Sequence, residues 1–275
     1  MKRWRCTHCD FLAWTDSAGK MENVVQTHLL THYSSKLSKS DFRITWDCPY
    51  CATAKTDYDK TEAVSSFKSH LHGHVEDRIH DHKHIAERLG WDGTIQINTQ
   101  VESPEADTLR RHFDSHADLV IHITANPERR IRLLHDELTD WPDRIVVVST
   151  DGHPFDETTE LDFAGVPMEL VELDPRLGPK QVGETVSRIL DIHHTDGMQV
   201  SVAVDILNEI VRSFDLRTSC DFVRMLASRL EEVDGVFQLY VNRDSHPNIS
   251  TALNFLEEVF DLTISAEDQR FVKTK

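Results

Sequence analysis

The stretch LVIHITANPERRIRLLHDELTDWPDRIVVVS (119–149) decides the fold class, because two apolar runs in it flank a helical pattern. The runs LVIHIT (119–124) and RIVVVS (144–149) are short and rich in β-branched residues, which is typical of buried strands. Between them, PERRIRLLHDELTDW spaces its apolar residues at helical intervals. A strand, a helix and a second strand in this order predict a right-handed crossover between parallel strands.

The same alternation continues on both sides of this stretch. Four more apolar runs predict strands: TIQI (94–97), MELVEL (168–173), VSVAVD (200–205) and VFQLYV (236–241). Further helical patterns are PEADTLRRHFDSH, PKQVGETVSRILDIHH, TSCDFVRMLASRLEEV and NISTALNFLEEVF. We therefore predict one α/β domain over residues 92–275, with a mostly parallel sheet and helices on both faces.

Sheets of this kind commonly bind nucleotides, but the motifs that hold phosphates are missing. The first strand runs into QINTQVESPEADT, and neither GxxxxGKS, GxxxxGKT nor GxGxxG occurs in the chain. Asp205 ends a strand where a phosphate-loop enzyme places its magnesium-facing carboxylate, and the alternative is an aspartate that caps a helix starting at Ile206. We expect no enzymatic activity, with a nucleotide hydrolase as the weaker alternative.

The order of these segments resembles RecA/KaiC-like domains of haloarchaea that have lost the phosphate loop. The resemblance covers residues 92–265 and is carried by VIHITANPERRIRLL, ELTDWPDRIVVVST, SVAVDILNEIVRSFDLRTSCDFVRMLASRL and GVFQLYVNRDSHPNISTALNFLEEVFDL. It implies a RecA-like sheet that serves as a regulatory or signalling scaffold derived from an ATPase.

The amino-terminal part contains a gapless repeat with an offset of 42 residues. WRCTHC (4–9) aligns with WDCPYC (46–51), and THLLTH (27–32) aligns with SHLHGH (69–74). Two thiolates on a turn and two imidazoles at i and i+4 of a helix can surround a tetrahedral zinc ion. The predicted ligands are Cys6, Cys9, His28 and His32 for one ion and Cys48, Cys51, His70 and His74 for the other. Four protein ligands leave no open position, so both zinc ions are expected to be structural.

Each copy reads Cys-x2-Cys-x18-His-x3-His and resembles the C₂H₂ zinc-finger family over residues 4–74. Val25 and Phe67, three positions before the first histidine of each copy, are expected to pack the small cores. The family usually has about twelve residues between the second cysteine and the first histidine. The eighteen found here mean that base reading by the helix cannot be transferred to this chain.

We predict four segments along the chain: a first zinc finger (1–40), a second (41–74), a helical His-rich connector (75–91) and the degenerate RecA/KaiC-like domain (92–275). The connector's pattern indicates an exposed helix better than a further metal site formed by His72, His80, His82 and His84. Cys220 lies in an apolar helical pattern and is expected to be a buried structural thiol.

Charge is divided unevenly between the two parts of the chain. Residues 1–90 hold 13 Lys+Arg against 12 Asp+Glu, and residues 91–275 hold 17 against 35. The acidic part has only three lysines, a composition typical of proteins from a high-salt cytoplasm. We therefore infer a halophilic, haloarchaeal source. The sequence has no apolar run long enough for a signal peptide or membrane span, which predicts a cytoplasmic protein without a membrane partner.

Two functions fit these features. In the first, the fingers bind DNA or RNA as part of a transcription regulator, and the α/β domain senses a signal or recruits a protein partner or a second copy of the chain. Candidate phosphate contacts are Lys2, Arg3, Arg5, Lys20, Lys36, Lys39 and Lys68. In the second, the zinc modules are structural elements of a protein–protein interaction adaptor in signalling.

Overall fold

The computed structural model describes residues 1–81, 92–137, 142–150, 167–174, 176, 178–267 and 270–274. The chain divides into two compact units: unit 1 comprises Met1–Lys83 with Gln269–Lys273, and unit 2 comprises His84–Asp268 with Thr274–Lys275. None of the helices in the described ranges is long and apolar enough to cross a membrane.

In unit 1, the sequence repeat folds into two modules with the same elements in the same order. The first contains β1 (Lys2–Arg5), β2 (Leu12–Thr15), α1 (Ala18–Tyr33) and β3 (Leu37–Ser40), and the second contains β4 (Arg43–Asp47), β5 (Ala54–Asp57), α2 (Lys60–Gly73) and β6 (His80–Asp81). Each helix begins after a capping side chain, Ser17 for α1 and Asp59 for α2. A 3-10 turn follows each helix, over Ser34–Lys36 and Glu76–Arg78.

The last strand of each module pairs with the first strand of the other module. β3 lies antiparallel to β4, and β6 lies antiparallel to β1. Lys39 faces Ile44 in the first pairing, and Asp81 faces Lys2 in the second, so the two registers are related by the offset of the sequence repeat. This exchange of strands joins the two modules into one unit.

A strand from the end of the chain completes unit 1. β14 (Arg270–Thr274) lies antiparallel to β2 on its outer edge, where Phe271 faces Trp14. Both aromatic side chains are buried. Val25 and Phe67, predicted as core residues, are both buried in one cluster. This cluster also contains Trp4 of the first module and Trp46 of the second. The cores of the two modules are therefore continuous.

These observations correct the predicted segment boundaries. The second module does not end at residue 74, because its strand β6 extends to Asp81 and completes the sheet of the first module. Of the connector predicted as helical over 75–91, residues 76–81 form a 3-10 turn and a strand instead. Residues 82–91, with His82 and His84, lie outside the described residues. The domain predicted over 92–275 also loses residues 269–273 to unit 1.

Unit 2 is built on a parallel sheet. Its strands are β7 (Gly93–Asn98), β8 (Leu119–Thr124), β9 (Arg144–Ser149), β10 (Met168–Glu172), β11 (Val200–Val204), β12 (Val236–Val241) and β13 (Leu262–Glu267), in the order β10-β9-β8-β11-β12-β7-β13. Every pairing between them in the described residues is parallel. The six predicted strands are all present, whereas β13 is absent from the prediction.

Helices cover both faces of this sheet. They are α3 (Pro104–Asp114), α4 (Pro127–Glu137), α5 (Pro179–His193), α6 (Leu207–Ser213), α7 (Leu216–Glu231) and α8 (Pro247–Phe255). Successive residues of a strand point to opposite faces, so Ile121 packs in the cluster of α5 to α8, whereas Val120 packs with Ile131 of α4. Cys220 is buried in the larger cluster. The predicted α/β class with a mostly parallel sheet is confirmed.

Candidate metal centres

Each module holds its two cysteines on a tight turn and its two histidines on a helix. The amide of Cys6 donates to the carbonyl of Phe11 over 3.0 Å, and the amide of Cys48 donates to the carbonyl of Thr53 over 2.8 Å. These bonds occupy equivalent positions of the repeat and close the two turns. The histidines are four residues apart on α1 and on α2, so both rings of a pair project from one helical face.

The eight predicted ligands come together as two groups of four. In the first, Sγ of Cys9 lies 3.3 Å from Nε2 of His28 and 3.4 Å from Nε2 of His32, and Sγ of Cys6 lies 3.5 Å from Nε2 of His32. The two Nε2 atoms are 3.0 Å apart. All four ligand atoms lie within 4.8 Å of one another.

The second group repeats this geometry. Sγ of Cys48 lies 3.4 Å from Nε2 of His74, and Sγ of Cys51 lies 3.4 Å from Nε2 of His70. The two Nε2 atoms are 3.2 Å apart. Around a tetrahedral zinc ion, sulfur and nitrogen ligands are separated by about 3.6 Å and two nitrogens by about 3.3 Å. Both groups can hold a metal ion, and their donor atoms and separations fit zinc.

Groups around His28 and Cys51 favour the forms that bind a metal, whereas burial raises the pKa of Cys6 and Cys48. The ring of Phe11 stacks on His28 with centroids 3.8 Å apart, and burial lowers the pKa of His28 to about 4, so this ring is neutral near neutral pH. The hydroxyl of Thr53 lies 3.2 Å from Sγ of Cys51, and hydrogen bonds from Thr53 lower the pKa of Cys51 to about 6. A neutral imidazole and a thiolate are the forms that coordinate zinc.

A cluster of three ring side chains connects the two metal centres. His8 and Tyr50 occupy the same position in the two turns, one residue before the second cysteine. The hydroxyl of Tyr33 lies 2.8 Å from Nε2 of His8 and donates to the hydroxyl of Tyr50 over 3.0 Å. The repeat places Val75 at the position equivalent to Tyr33, so a tyrosine occurs here in the first module only. This difference between the two copies was the sequence signal for the contact.

The seven basic residues predicted to contact nucleic acid fall into two groups. Lys2 pairs with Asp81 over 2.6 Å, Lys20 pairs with Asp16 over 2.7 Å, and Lys68 donates to a threonine of α1 over 3.1 Å. The other four have no ion pair or side-chain hydrogen bond within the ranges that the structure describes: Arg3, Arg5, Lys36 and Lys39. Lys2 and Lys20 would have to leave a carboxylate to meet a phosphate, whereas Lys68 and the second group have no acidic partner among the described residues.

In unit 2, Asp205 lies just past the end of β11 and is held by buried arginines. Its Oδ2 accepts hydrogen bonds from Arg110 over 3.1 Å, from Arg130 over 3.0 Å and from Thr124 over 3.1 Å. The interpretation of Asp205 as a helix cap is wrong, because α6 begins at Leu207 and no side chain caps it. The two guanidinium groups attract the carboxylate more strongly than a helix end would.

The same arginines connect Asp205 to two further carboxylates. Asp107 accepts from Arg110 over 3.2 Å and from Arg130 over 3.0 Å, and Glu102 accepts from Arg130 over 2.8 Å. Arg110 also lies over a buried tyrosine ring, 4.1 Å from the centroid, and burial lowers the pKa of this arginine. Arg129 pairs with Asp107 and Glu102 as well, so three arginines face three carboxylates. A metal ion beside Asp205 would be repelled by two guanidinium groups.

Comparison with known proteins identifies a family for this chain. A model described as a family of unknown function, DUF7504, matches residues 98–266. No curated protein matches the chain. A structural-study target from Pyrococcus horikoshii is similar at 14% identity and a TM-score of 0.44, with 66% of this chain and 88% of that chain covered. A KaiC-like protein from the same organism is similar at 11% identity and a TM-score of 0.39, with 63% and 70% covered.

Proposed function

Because the chain belongs to DUF7504, a family of unknown function, we propose a role from its own residues: unit 1 binds nucleic acid in a zinc-dependent manner, as in transcription regulators. Unit 2 is then a regulatory α/β domain without catalytic activity. Both metal centres hold structural zinc, which keeps the nucleic-acid-binding surface folded.

The observation that carries this proposal is the set of cations on unit 1 that lack an acidic partner. Arg43 and Lys60 join Arg3, Arg5, Lys36 and Lys39 in having no ion pair among the described residues. Acidic residues outnumber basic ones two to one in residues 91–275, whereas residues 1–90 carry 13 basic and 12 acidic residues. Cations left unpaired in an acidic protein are suited to phosphates.

The arginine–carboxylate network supports the non-catalytic role of unit 2. In phosphate-loop enzymes, the carboxylate at the end of the strand faces magnesium, and glycines of the loop approach the phosphates. Here the segment after β7 reads TQVES (99–103), and Asp205 is held by Arg110 and Arg130. We expect no change in the melting temperature of unit 2 when ATP and magnesium are added; a stabilisation that depends on concentration would contradict this part of the proposal.

The direct test is fluorescence anisotropy of labelled DNA and RNA, each as single strand and duplex, titrated with the zinc-loaded protein. Titrations cover low salt to molar potassium chloride, because the acidic surface of unit 2 suits a halophilic protein. We expect saturable binding that weakens as salt rises and disappears when zinc is chelated. If neither nucleic acid binds at any salt concentration, the adaptor function replaces this proposal.

A further inference from the structure

Two exposed aromatic side chains lie at one end of the sheet β3-β4-β5, next to strands β4 and β5 of the second module. Phe42 is 87% exposed and Tyr58 is 73% exposed. Phe42 precedes β4 and Tyr58 follows β5, and the antiparallel pairing of Ile44 with Asp57 brings both aromatic residues to the same end of the sheet. Single exposed aromatic residues are ordinary, but two at one sheet end indicate a contact surface.

The local backbone holds both rings away from the core. Asp41 and Phe42 form the two-residue turn between β3 and β4, and Asp41 has a φ of 54°. Tyr58 immediately precedes Asp59, whose carboxylate accepts hydrogen bonds from two backbone amides at the start of α2. Each aromatic residue therefore lies next to a residue whose backbone conformation is fixed. Both rings are exposed to solvent and do not pack into the core.

A groove lined mostly by polar residues lies between α1 and α2 of the same unit. Its volume is about 520 Å³, and it is lined by Gln26, Lys60, Thr61, Val64, Ser65 and Lys68. Two ammonium groups, an amide and two hydroxyls in this lining can donate hydrogen bonds, and Val64 is its one apolar side chain. Tyr58 stands two residues before Lys60. The groove therefore begins close in sequence to the exposed aromatic pair and is suited to an anionic chain.

Cations also stand beside Phe42. Arg43 follows Phe42 directly, and Lys39 lies on the neighbouring strand β3. Neither side chain has an ion pair in the part of the chain that the structure describes. Aromatic rings next to unpaired cations are the combination that proteins use to stack nucleobases while they neutralise the backbone.

We propose that the second module binds single-stranded nucleic acid: unpaired bases stack on Phe42 and Tyr58, and the phosphate backbone lies along the groove with Lys60 and Lys68. The inference rests on the proposed nucleic-acid function and specifies its ligand. Stacking requires base faces that a duplex conceals within its own helix. Five of the six residues that line the groove carry polar side chains, and two of these are lysines, which favours an anionic backbone over the apolar face of a peptide helix.

The first module does not repeat these features. At the offset of 42, Tyr58 corresponds to Asp16, Lys60 to Ala18 and Lys68 to Gln26. The repeat preserves the metal ligands but not the rings and cations, so the stacking rings and the lysines of this site come from the second module.

The test compares single-stranded and duplex oligonucleotides of both DNA and RNA with the full zinc-loaded chain. Phe42→Ala with Tyr58→Ala should weaken single-strand binding at least about 25-fold, because each of the two stacked bases contributes about 5- to 150-fold. Phe42→Trp with Tyr58→Trp should keep the affinity, which shows that a loss in the alanine variant is not a folding defect. Phe255→Ala removes a ring that is 63% exposed in unit 2 and serves as the matched control without effect.

The groove is tested by the dependence of affinity on salt. Lys60→Gln and Lys68→Gln should each reduce the slope of log affinity against log salt by about 0.7. Equal binding of duplex and single strand, or wild-type affinity of the double alanine variant, would overturn the inference and leave the nucleic-acid function standing. Failure to bind any oligonucleotide would refute the proposed function itself.

Discussion

Lys2 and Asp81 face each other across β1 and β6, with Nζ of the lysine 2.6 Å from Oδ1 of the aspartate. At the repeat offset of 42, Lys2 corresponds to Ile44 and Asp81 to Lys39, and Ile44 and Lys39 likewise face each other across β4 and β3. The ion pair is exposed and contributes little to stability by itself. It lies in one of the two strand pairings that join the modules. Neither sheet is complete without a strand from the other module. We therefore expect the two metal centres to unfold together.

Replacing Cys48 with serine tests this coupling. The substitution removes one thiolate from the second centre, so zinc binding there should be lost. Because β3 and β6 connect the modules, hydrogen exchange should accelerate in α1 as well as in α2 while unit 2 stays protected. Metal analysis and hydrogen exchange with mass spectrometry measure both effects.

Cys220→Ala is the matched control, since it removes the buried cysteine of unit 2 and leaves both groups of ligands intact. This variant should keep two zinc ions per chain. Protection of α1 at its original level in Cys48→Ser would mean that the modules fold independently despite the exchanged strands.

Chelation of zinc should unfold unit 1 and leave the parallel sheet of unit 2 folded. Structural zinc contributes about 10–16 kcal/mol of apparent binding free energy in small modules, whereas unit 2 has a large apolar core of its own. Trp4 and Trp46 are buried and lie 5.7 and 5.2 Å from the rings of His28 and His70, so their fluorescence should shift to longer wavelength.

Trp14 is also buried in unit 1, so the variant Trp4→Phe with Trp46→Phe should reduce the shift to the part that Trp14 contributes. Most of the far-UV circular dichroism should persist after chelation. Loss of the entire far-UV signal would show that zinc holds unit 2 together as well.

Tyr33→Phe should weaken the connection between the two metal centres without releasing zinc. The substitution removes the hydroxyl that lies 2.8 Å from His8 and donates to Tyr50. We expect the free energy of unfolding of unit 1 to fall by about 0.5–1.5 kcal/mol, measured by denaturant titration of the zinc-loaded protein. Tyr58→Phe is the control, because its hydroxyl has no hydrogen bond within the described residues. Equal stability of both variants would exclude an energetic role for the contact.

The sequence predicts those features of the fold that depend on local pattern. Runs of β-branched residues located six strands of unit 2, including β8 and β9 to the residue. The metal ligands could be predicted because the cysteines and histidines recur at the same spacing in both copies of the repeat. The strand β6 could not be recognised, because two polar residues, His80 and Asp81, carry no apolar pattern and are defined only by pairing with β1. Strand exchange is a long-range pairing that local preference does not encode.

The buried network of unit 2 was hidden for a related reason. Arg110 and Arg130 occur in strongly amphipathic helices, where charged residues normally face water, and arginine is rarely buried unless it is paired. Their partner Asp205 is distant in sequence, so the pairing becomes visible only when α3, α4 and β11 are brought together. The sequence was sufficient to show that the phosphate loop is missing. It could not identify the side chains that bind Asp205.

The arginine network leads to a prediction that separates a structural aspartate from a catalytic one. Asp205→Ala would remove one of the two carboxylates that the fully buried Arg110 and Arg130 share, and leave them Asp107 as the other. Removing one partner of a buried charge pair typically costs about 3–5 kcal/mol, and we expect a loss of this size in urea unfolding of unit 2. Asp205→Asn retains an acceptor oxygen and should lose less. Asp221→Ala removes an exposed carboxylate from an ion pair on α7 and should change little. If Asp205→Ala unfolded at the wild-type urea concentration, the carboxylate would not be stabilising the arginines, and a role in binding a metal ion would again have to be considered.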